Sequence, residues 1–197
     1  MIATSHRRRG AAATRDAILR SARKAFARAG YDGVGVREIA AGAGVTAMLV
    51  NRYFGSKENL FAEVAVDAMR DAVILSPENL AAPDFAAALA KSLVEVTAPG
   101  ATPLDGFQIM LHSAASPKAV ELGRDLIGRG HQATLLGRLN GPNAAQRAGI
   151  FLALVAGLQV FRQTMALPSL AEADPADLAR LLEPIIRSLI EEPPDVA

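Results

Sequence analysis

The chain contains no cysteine. Disulfides, thiolate metal sites and cysteine nucleophiles are therefore excluded together, and a reducing compartment is compatible with that composition. No stretch alternates apolar and polar residues as a half-buried strand does, and alanine and leucine dominate, so β structure is not expected. The beginning, MIATSHRRRGAAATR, is basic and lacks the apolar stretch of a secretory signal. The most apolar segment, 148–161, contains Gln159 and stops at Arg162. It falls short of the roughly 20 residues a membrane-spanning helix needs. A buried core helix fits it better, so no membrane partner and a cytoplasmic location are expected. His112 and His131 have no partner at metal-ligand spacing, and the serines lack a nucleophile-elbow context. Gly42-Ala-Gly44-Val-Thr-Ala47 fits the dinucleotide fingerprint only formally, because no strand precedes it and no βαβ unit surrounds it. No enzyme, metal or cofactor chemistry is expected.

What is present is a folded composition with uneven charge. With 197 residues, 51% hydrophobic and 21% charged, the chain can bury one good core or a small domain beside a larger one. Residues 1–60 hold eleven Lys and Arg against four Asp and Glu, a net +7, whereas the rest carries ten against sixteen, a net −6. The overall charge of +1 hides a basic head suited to phosphate and an acidic body that is not.

Breakers and caps divide the chain into about nine helices, an all-α fold. Residues 1–13 read as a disordered basic arm, in which Arg7, Arg8 and Arg9 serve either as a solubilising tail or near phosphates. A first helix over 14–29 ends at Gly30, placed as a left-handed C-cap residue. Short helices follow over 36–41 and 46–54, with Gly42 and Gly44 in the turn and Thr46 as cap. Ser56 caps a fourth helix to about 75. Pro83-Asp84, Pro103-Leu104, Ser116-Pro117, Asn140-Gly141-Pro142 and Asp174-Pro175 punctuate five more, with bends expected at 128–130 and at Pro184. The domain boundaries that result are 14–56 for the basic head and 57–197 for the body.

The stretch VREIAAGAGVTAMLVNRYFGSKENLF, residues 36–61, carries the most information. Two short helices joined by a glycine-bearing turn and followed at once by a third are the layout of a helix-turn-helix, whose second helix enters a DNA major groove. Ile39, Ala40, Val45, Val50 and Phe54 supply the inward positions, leaving Ala47, Met48, Leu49, Asn51 and Arg52 outward with Tyr53 near the edge. Arg37 suits a guanine or phosphate, and Tyr53 and Lys57 suit phosphate. This run, with the preceding Ala25-Phe26 and the Gly30-Tyr31-Asp32-Gly33 link, resembles the N-terminal domain of the tetracycline-repressor (TetR) family over roughly 14–61.

The resemblance implies an all-α homodimer whose larger C-terminal domain binds a small molecule and thereby releases a DNA operator. By position it implies DNA contacts at Arg37, Thr46, Ala47, Met48, Asn51, Tyr53 and Lys57. Two departures bear on base reading: Asn51 stands where tyrosine is common, and Val34-Gly35 replaces the usual hydroxyl cap of the second helix. The weaker likeness of Arg147-Ala148, Gly157-Leu158 and Arg162 extends into the C-terminal domain.

Beyond the head, Gly149, Ala153 and Gly157 recur every fourth residue, so another helix can approach closely, with Leu152, Val160 and Phe161 beside them. Paired with Leu178, Leu182 and Ile186 of the last helix, they predict a two-fold four-helix interface formed by Gly149, Leu152, Ala153, Gly157, Val160, Leu178, Leu182 and Ile186. An amphipathic organic ligand is expected against Phe107, Gln108, Met110, Leu111, His112, Phe161, Arg162 and Met165. Binding there would swing the fourth helix and change the separation of the two reading helices. The competing readings are a DNA-binding regulator or activator without an inducer and a helical enzyme with a localising head.

Overall fold

The computed structural model describes residues 2–70, 73–101 and 104–191, with backbone alone at 2–9, 69 and 70. The described residues are helical, with no strand among them. In order the helices are α1 (Ile2–Ala29), α2 (Val36–Gly42), α3 (Ala47–Phe54), α4 (Lys57–Arg70), α5 (Pro77–Leu80), α6 (Phe85–Val96), α7 (Asp105–Ser113), α8 (Pro117–Ile127), α9 (Ala133–Leu136), α10 (Ala144–Leu158), α11 (Pro168–Ala171) and α12 (Pro175–Ile190). The π-helical segment Gly128–Gln132 joins α8 to α9, and a second, Gln159–Thr164, extends α10. Counted as uninterrupted stretches among the described residues, the nine expected helices are there. Single turns at Pro77–Leu80 and Pro168–Ala171 are added. The bend expected at 128–130 takes the form of the first π segment.

The basic arm is a correction. Residues 2–13 are not an irregular arm before a helix beginning at Thr14; they continue α1 to 28 residues. Arginine and alanine are strong helix formers, and no proline interrupts the run. The Thr14 hydroxyl donates to the Gly10 carbonyl at 2.9 Å, as a threonine inside a helix does.

The chain forms two compact units. Unit one comprises the described residues up to Arg70 together with Asp105–Leu126. The expected boundary at 56/57 therefore does not hold, and the reason is packing. Leu60, Phe61, Val64 and Ala68 of α4 are buried in the same core as Ile18, Ala22 and Phe26 of α1, Ile39 and Ala40 of α2, and Val50 and Phe54 of α3. The Phe61 ring meets Phe26 and Tyr31 edge-on, each at 5.1 Å. From α7, Ile109 enters this core, Ser113 Oγ accepts from Tyr31 N at 2.9 Å, and Asp105 accepts from Arg23 Nε at 2.6 Å.

Unit two comprises 71–104 and 127–197, its described part built around α6, α10 and α12. Ala86, Leu89, Ala90 and Leu93 of α6 are buried with Leu178, Leu182, Ile186 and Ile190 of α12, a repeat of four on one helical face. Arg147 closes the end of α12, donating from Nη1 to the carbonyls of Leu189 (3.3 Å) and Glu191 (2.8 Å) and from Nη2 to Asn140 O. A cation at a helix C-terminus meets carbonyls that lack partners and the negative end of the macrodipole. Asp174 does the reverse at the start of α12, accepting from Ala176 N and Asp177 N.

One stretch, Ala144–Thr164, has 21 residues and is apolar enough by length and composition to cross a membrane. It is longer than the 14 residues expected because helix continues on both sides of the apolar run. Three of its polar members, Arg147, Gln159 and Arg162, are buried in unit two.

Candidate nucleic-acid interface

The reading edge is made locally. Gly42 ends α2 where α1 passes close by: a Cβ there would stand 2.5 Å from Ser21 Oγ. Ser21 Oγ in turn donates to Ile39 O at 2.8 Å, fastening α2 to α1. Gly44 has φ +68°, the left-handed conformation a tight turn between helices requires, and Val45 N closes the turn on Ala40 O at 2.9 Å. Thr46 then stands in extended conformation at the start of α3, and its hydroxyl accepts from Leu49 N at 3.3 Å.

Val50 and Phe54 anchor α3 in the core of unit one. The periodicity that buries them exposes the opposite face: Thr46, Met48, Asn51 and Arg52 are exposed, Met48 to 80%, and Ala47, Leu49 and Tyr53 are half-buried. At α2, Gly35 occupies the N-cap position without a side-chain bond, so the missing hydroxyl is missing in structure too. Arg37 is exposed in the first turn, and Glu38 pairs with Arg28 of α1.

At the start of α4, Ser56 Oγ accepts from Asn59 N at 3.2 Å. Lys57, half-buried, holds its ammonium over the Tyr31 ring, 4.3 Å from the centroid. The Tyr31 hydroxyl donates to Glu58 Oε1 at 2.9 Å. Burial, followed by that bond and the Glu58 charge, pushes the Tyr31 hydroxyl up to about 12. Backbone N–H bonding, Ser56 and Tyr31 hold the Glu58 carboxyl below its ordinary value. Arg20 and Lys24, legible in the sequence only as charge, line an open groove between α1 and α2 with Ser21, Arg28 and Glu38. Their signal was the four-residue spacing of Arg20, Lys24 and Arg28 along α1.

The expected ligand residues fall in both units. Phe107, Gln108, Met110, Leu111 and His112 lie on α7 in unit one, whereas Phe161, Arg162 and Met165 belong to unit two. His112 Nδ1 is 2.6 Å from Ala27 O, and Met110 fills the space over Gly123, where a Cβ would stand 1.9 Å from its Cε. Those two side chains pack α7 onto α1 and α8. Phe161 and Met165 are exposed, at 48% and 65%, while Arg162 is fully buried and bonded.

Three of the eight expected interface residues lie elsewhere. Leu178, Leu182 and Ile186 are core residues of unit two, closed over by α6. The exposed apolar side chains of α12 are Leu181 and Ile185, at 69% and 50%. Around Gly149 and Gly157 of α10 a Cβ would meet nothing within 4 Å; Ala153 is exposed, as is Ile150 at 55%, and Leu152 and Val160 are half-buried.

Known proteins match this arrangement in both halves. The family described as bacterial regulatory proteins, tetR family, matches residues 18–64, and that described as tetracyclin repressor-like, C-terminal domain, matches residues 84–190. The second alone spans more than half of the chain. The chain belongs to the TetR family. It is thus a TetR-family transcriptional regulator and not an enzyme. The HTH-type transcriptional repressor AcnR of Corynebacterium glutamicum is 40% identical over 68 residues, 34% of this chain and 36% of that repressor. The chain therefore matches about a third of the length of that relative. A TetR-family member from Streptomyces coelicolor A3 superimposes with a TM-score of 0.66 at 20% identity, covering 91% of this chain and 99% of that one. A transcriptional regulator from Rhodococcus sp. Rha1 has a TM-score of 0.58 at 25% identity over the same shares.

Proposed function

We propose that the protein is a dimeric, ligand-responsive transcriptional repressor of the cytoplasm that holds a pseudo-palindromic operator through two copies of α3. The observation that carries this reading is the exposed face of α3, capped by Thr46, anchored through Val50 and Phe54, and set in a head with net charge +7. A capped, rigidly anchored helix presents Ala47, Met48 and Asn51 at its N-terminal end, where a helix-turn-helix meets base edges. Met48 and Leu49 suit thymine methyl groups, Asn51 suits adenine, and Arg37 suits guanine or phosphate. Arg52, Tyr53 and Lys57 contact the backbone and fix register.

Dimerisation uses the exposed apolar side of unit two, Ile150, Ala153 and Gly157 of α10 with Leu181 and Ile185 of α12. Two such helix pairs about a two-fold axis make a four-helix bundle. The pairing sets the two reading helices about 34–36 Å apart, or a multiple of that distance, along the duplex. The repressor reading follows the named function of the Corynebacterium relative. Response to a small molecule is reciprocal coupling between its site and the operator, typically about 1–3 kcal/mol.

The test is electrophoretic retardation of promoter fragments from the organism's own genome across a salt series. The expected result is retention of a discrete fragment, with log affinity falling linearly against log salt as counterions leave the phosphates. Failure to retard any fragment at low ionic strength refutes the reading.

A further inference from the structure

Unit two contains a polar spot that its own side chains leave unsatisfied. Gln159 is 1% exposed, yet neither Oε1 nor Nε2 has a hydrogen-bond partner among the described residues. A carboxamide offers two donors and two acceptor lone pairs, and protein interiors pair nearly all such groups. Three residues on, Arg162 is equally buried and meets no carboxylate among the described residues. Its Nε donates to Leu170 O at 3.0 Å, and its Nη1 to Val94 O at 2.5 Å and Thr97 Oγ1 at 3.1 Å. The bonds to Val94 and Thr97 close the end of α6, the bond to Leu170 holds α11, and together they account for three of the five N–H groups of a guanidinium. The Nη2 edge donates to no described residue. Burial works against the cation, holding the Arg162 pKa below its ordinary value.

Both residues lie in the π segment Gln159–Thr164. There Met165 N reaches back to Val160 O at 2.8 Å, and the Thr164 hydroxyl donates to Gln159 O at 3.1 Å. A π segment gives up α-helical bonding to re-aim side chains, and such segments concentrate at functional sites. Here it turns Gln159 and Arg162 into a core otherwise built of Leu89, Leu93, Phe151 and Leu158. An unpartnered carboxamide three residues from a buried cation whose described partners are all neutral is a poor device for holding a core together. It is a good one for receiving an anion with a second polar group.

The geometry points to an internal site in unit two for a small hydroxylated organic acid, its carboxylate on the Nη2 edge of Arg162 and its hydroxyl on the Gln159 carboxamide. The apolar core residues take the carbon skeleton. The inference rests on the ligand-responsive reading above and names the chemistry of that ligand.

The probes are salicylate, 4-hydroxybenzoate and the neutral 4-hydroxybenzamide, titrated into the full-length protein by calorimetry with thermal unfolding in parallel. At least one acid should bind once per protomer and raise the melting temperature, at least tenfold tighter than the amide. Gln159→Leu removes the orphaned carboxamide, so the free variant should melt at the wild-type temperature or above while binding the acid at least tenfold more weakly. Arg162→Lys keeps the charge but loses the planar edge, and should weaken the acid similarly. The site is overturned if neither acid binds, if the amide binds as well as the acids, or if Gln159→Leu binds the acid with wild-type affinity. Operator retardation in the same samples separates the two readings. A protein that holds DNA and is released only by uncharged molecules is still a ligand-responsive regulator but has lost this site.

Discussion

Leu181 and Leu182 are neighbours in sequence with opposite fates, and the contrast makes a quantitative test of the dimer. Leu182 is 6% exposed in the core of unit two, whereas Leu181 is 69% and Ile185 50% exposed. Fully burying such a side chain is worth about 1.5–3 kcal/mol, so covering what is left of these two contributes about 2–3 kcal/mol per protomer. Two-fold symmetry counts each residue twice, giving about 5 kcal/mol for the dimer. Alanine retains Cβ, so Leu181→Ala with Ile185→Ala should forfeit about 3 kcal/mol of association, a dissociation constant weakened by roughly two orders of magnitude. Sedimentation equilibrium over a concentration series reads that constant directly. Urea unfolding of the same variant at concentrations where it is monomeric should match the wild-type monomer. Leu182→Ala is the control and should behave in the opposite way, losing about 2–5 kcal/mol of protomer stability through the cavity it opens. The reasoning is refuted if the double variant dimerises with the wild-type constant, or if its protomer loses as much stability as Leu182→Ala does.

Three further perturbations address unit one. Gly30→Ala places a Cβ 2.1 Å from the His112 carbonyl oxygen at φ +67°, so unfolding midpoints in urea should drop by about 3 kcal/mol or more, well beyond the 1–2 kcal/mol of the left-handed conformation alone; a drop within that smaller range would mean that α7 yields. Tyr31 ionises at about 12 where the free phenol ionises at 10.0, so the folded state keeps its proton longer and stability present below pH 10 is lost between those values. Tyrosinate absorbance should show a late phase that Tyr31→Phe removes, and its persistence in that variant would refute the assignment. Lys57→Ala should weaken operator and random DNA alike and lower the salt slope by about one, whereas Arg37→Ala should weaken the operator more if it reads a base; equal losses would move Arg37 to the phosphates.

The helix-turn-helix was legible because its determinants are local. Thr46, Gly44 and Gly30 act through bonds and dihedrals within a few residues, and Val50 and Phe54 repeat at helical period. The beginning of α1 was misread because charge was taken for disorder, whereas arginine and alanine favour a helix wherever a neighbouring turn exists to extend. The last helix was misread for a different reason. Leu178, Leu181, Leu182, Ile185 and Ile186 make α12 apolar on adjacent faces, and periodicity cannot say which face its own core takes. The structure gives 178, 182 and 186 to the core and leaves 181 and 185 outside. The place of α7 was not legible at all. Its ties to α1 run from Arg23 to Asp105 and from Tyr31 to Ser113, each spanning 82 positions, and distance along the chain conceals such pairs.

That placement changes how a response can work. A swing of α4 against the reading helix was the expected motion. Yet α4 carries Leu60 and Phe61 at 0% exposure in the core that anchors α3, and it pairs with α1 through Arg15–Glu63 and Arg23–Asp67. Moving it alone would expose both side chains, at about 1.5–3 kcal/mol each, comparable with the whole of a typical allosteric coupling. The head should therefore move as a body that includes α4 and α7. A ligand in unit two can shift the spacing of paired heads only to the extent that it binds two arrangements of them with different affinity.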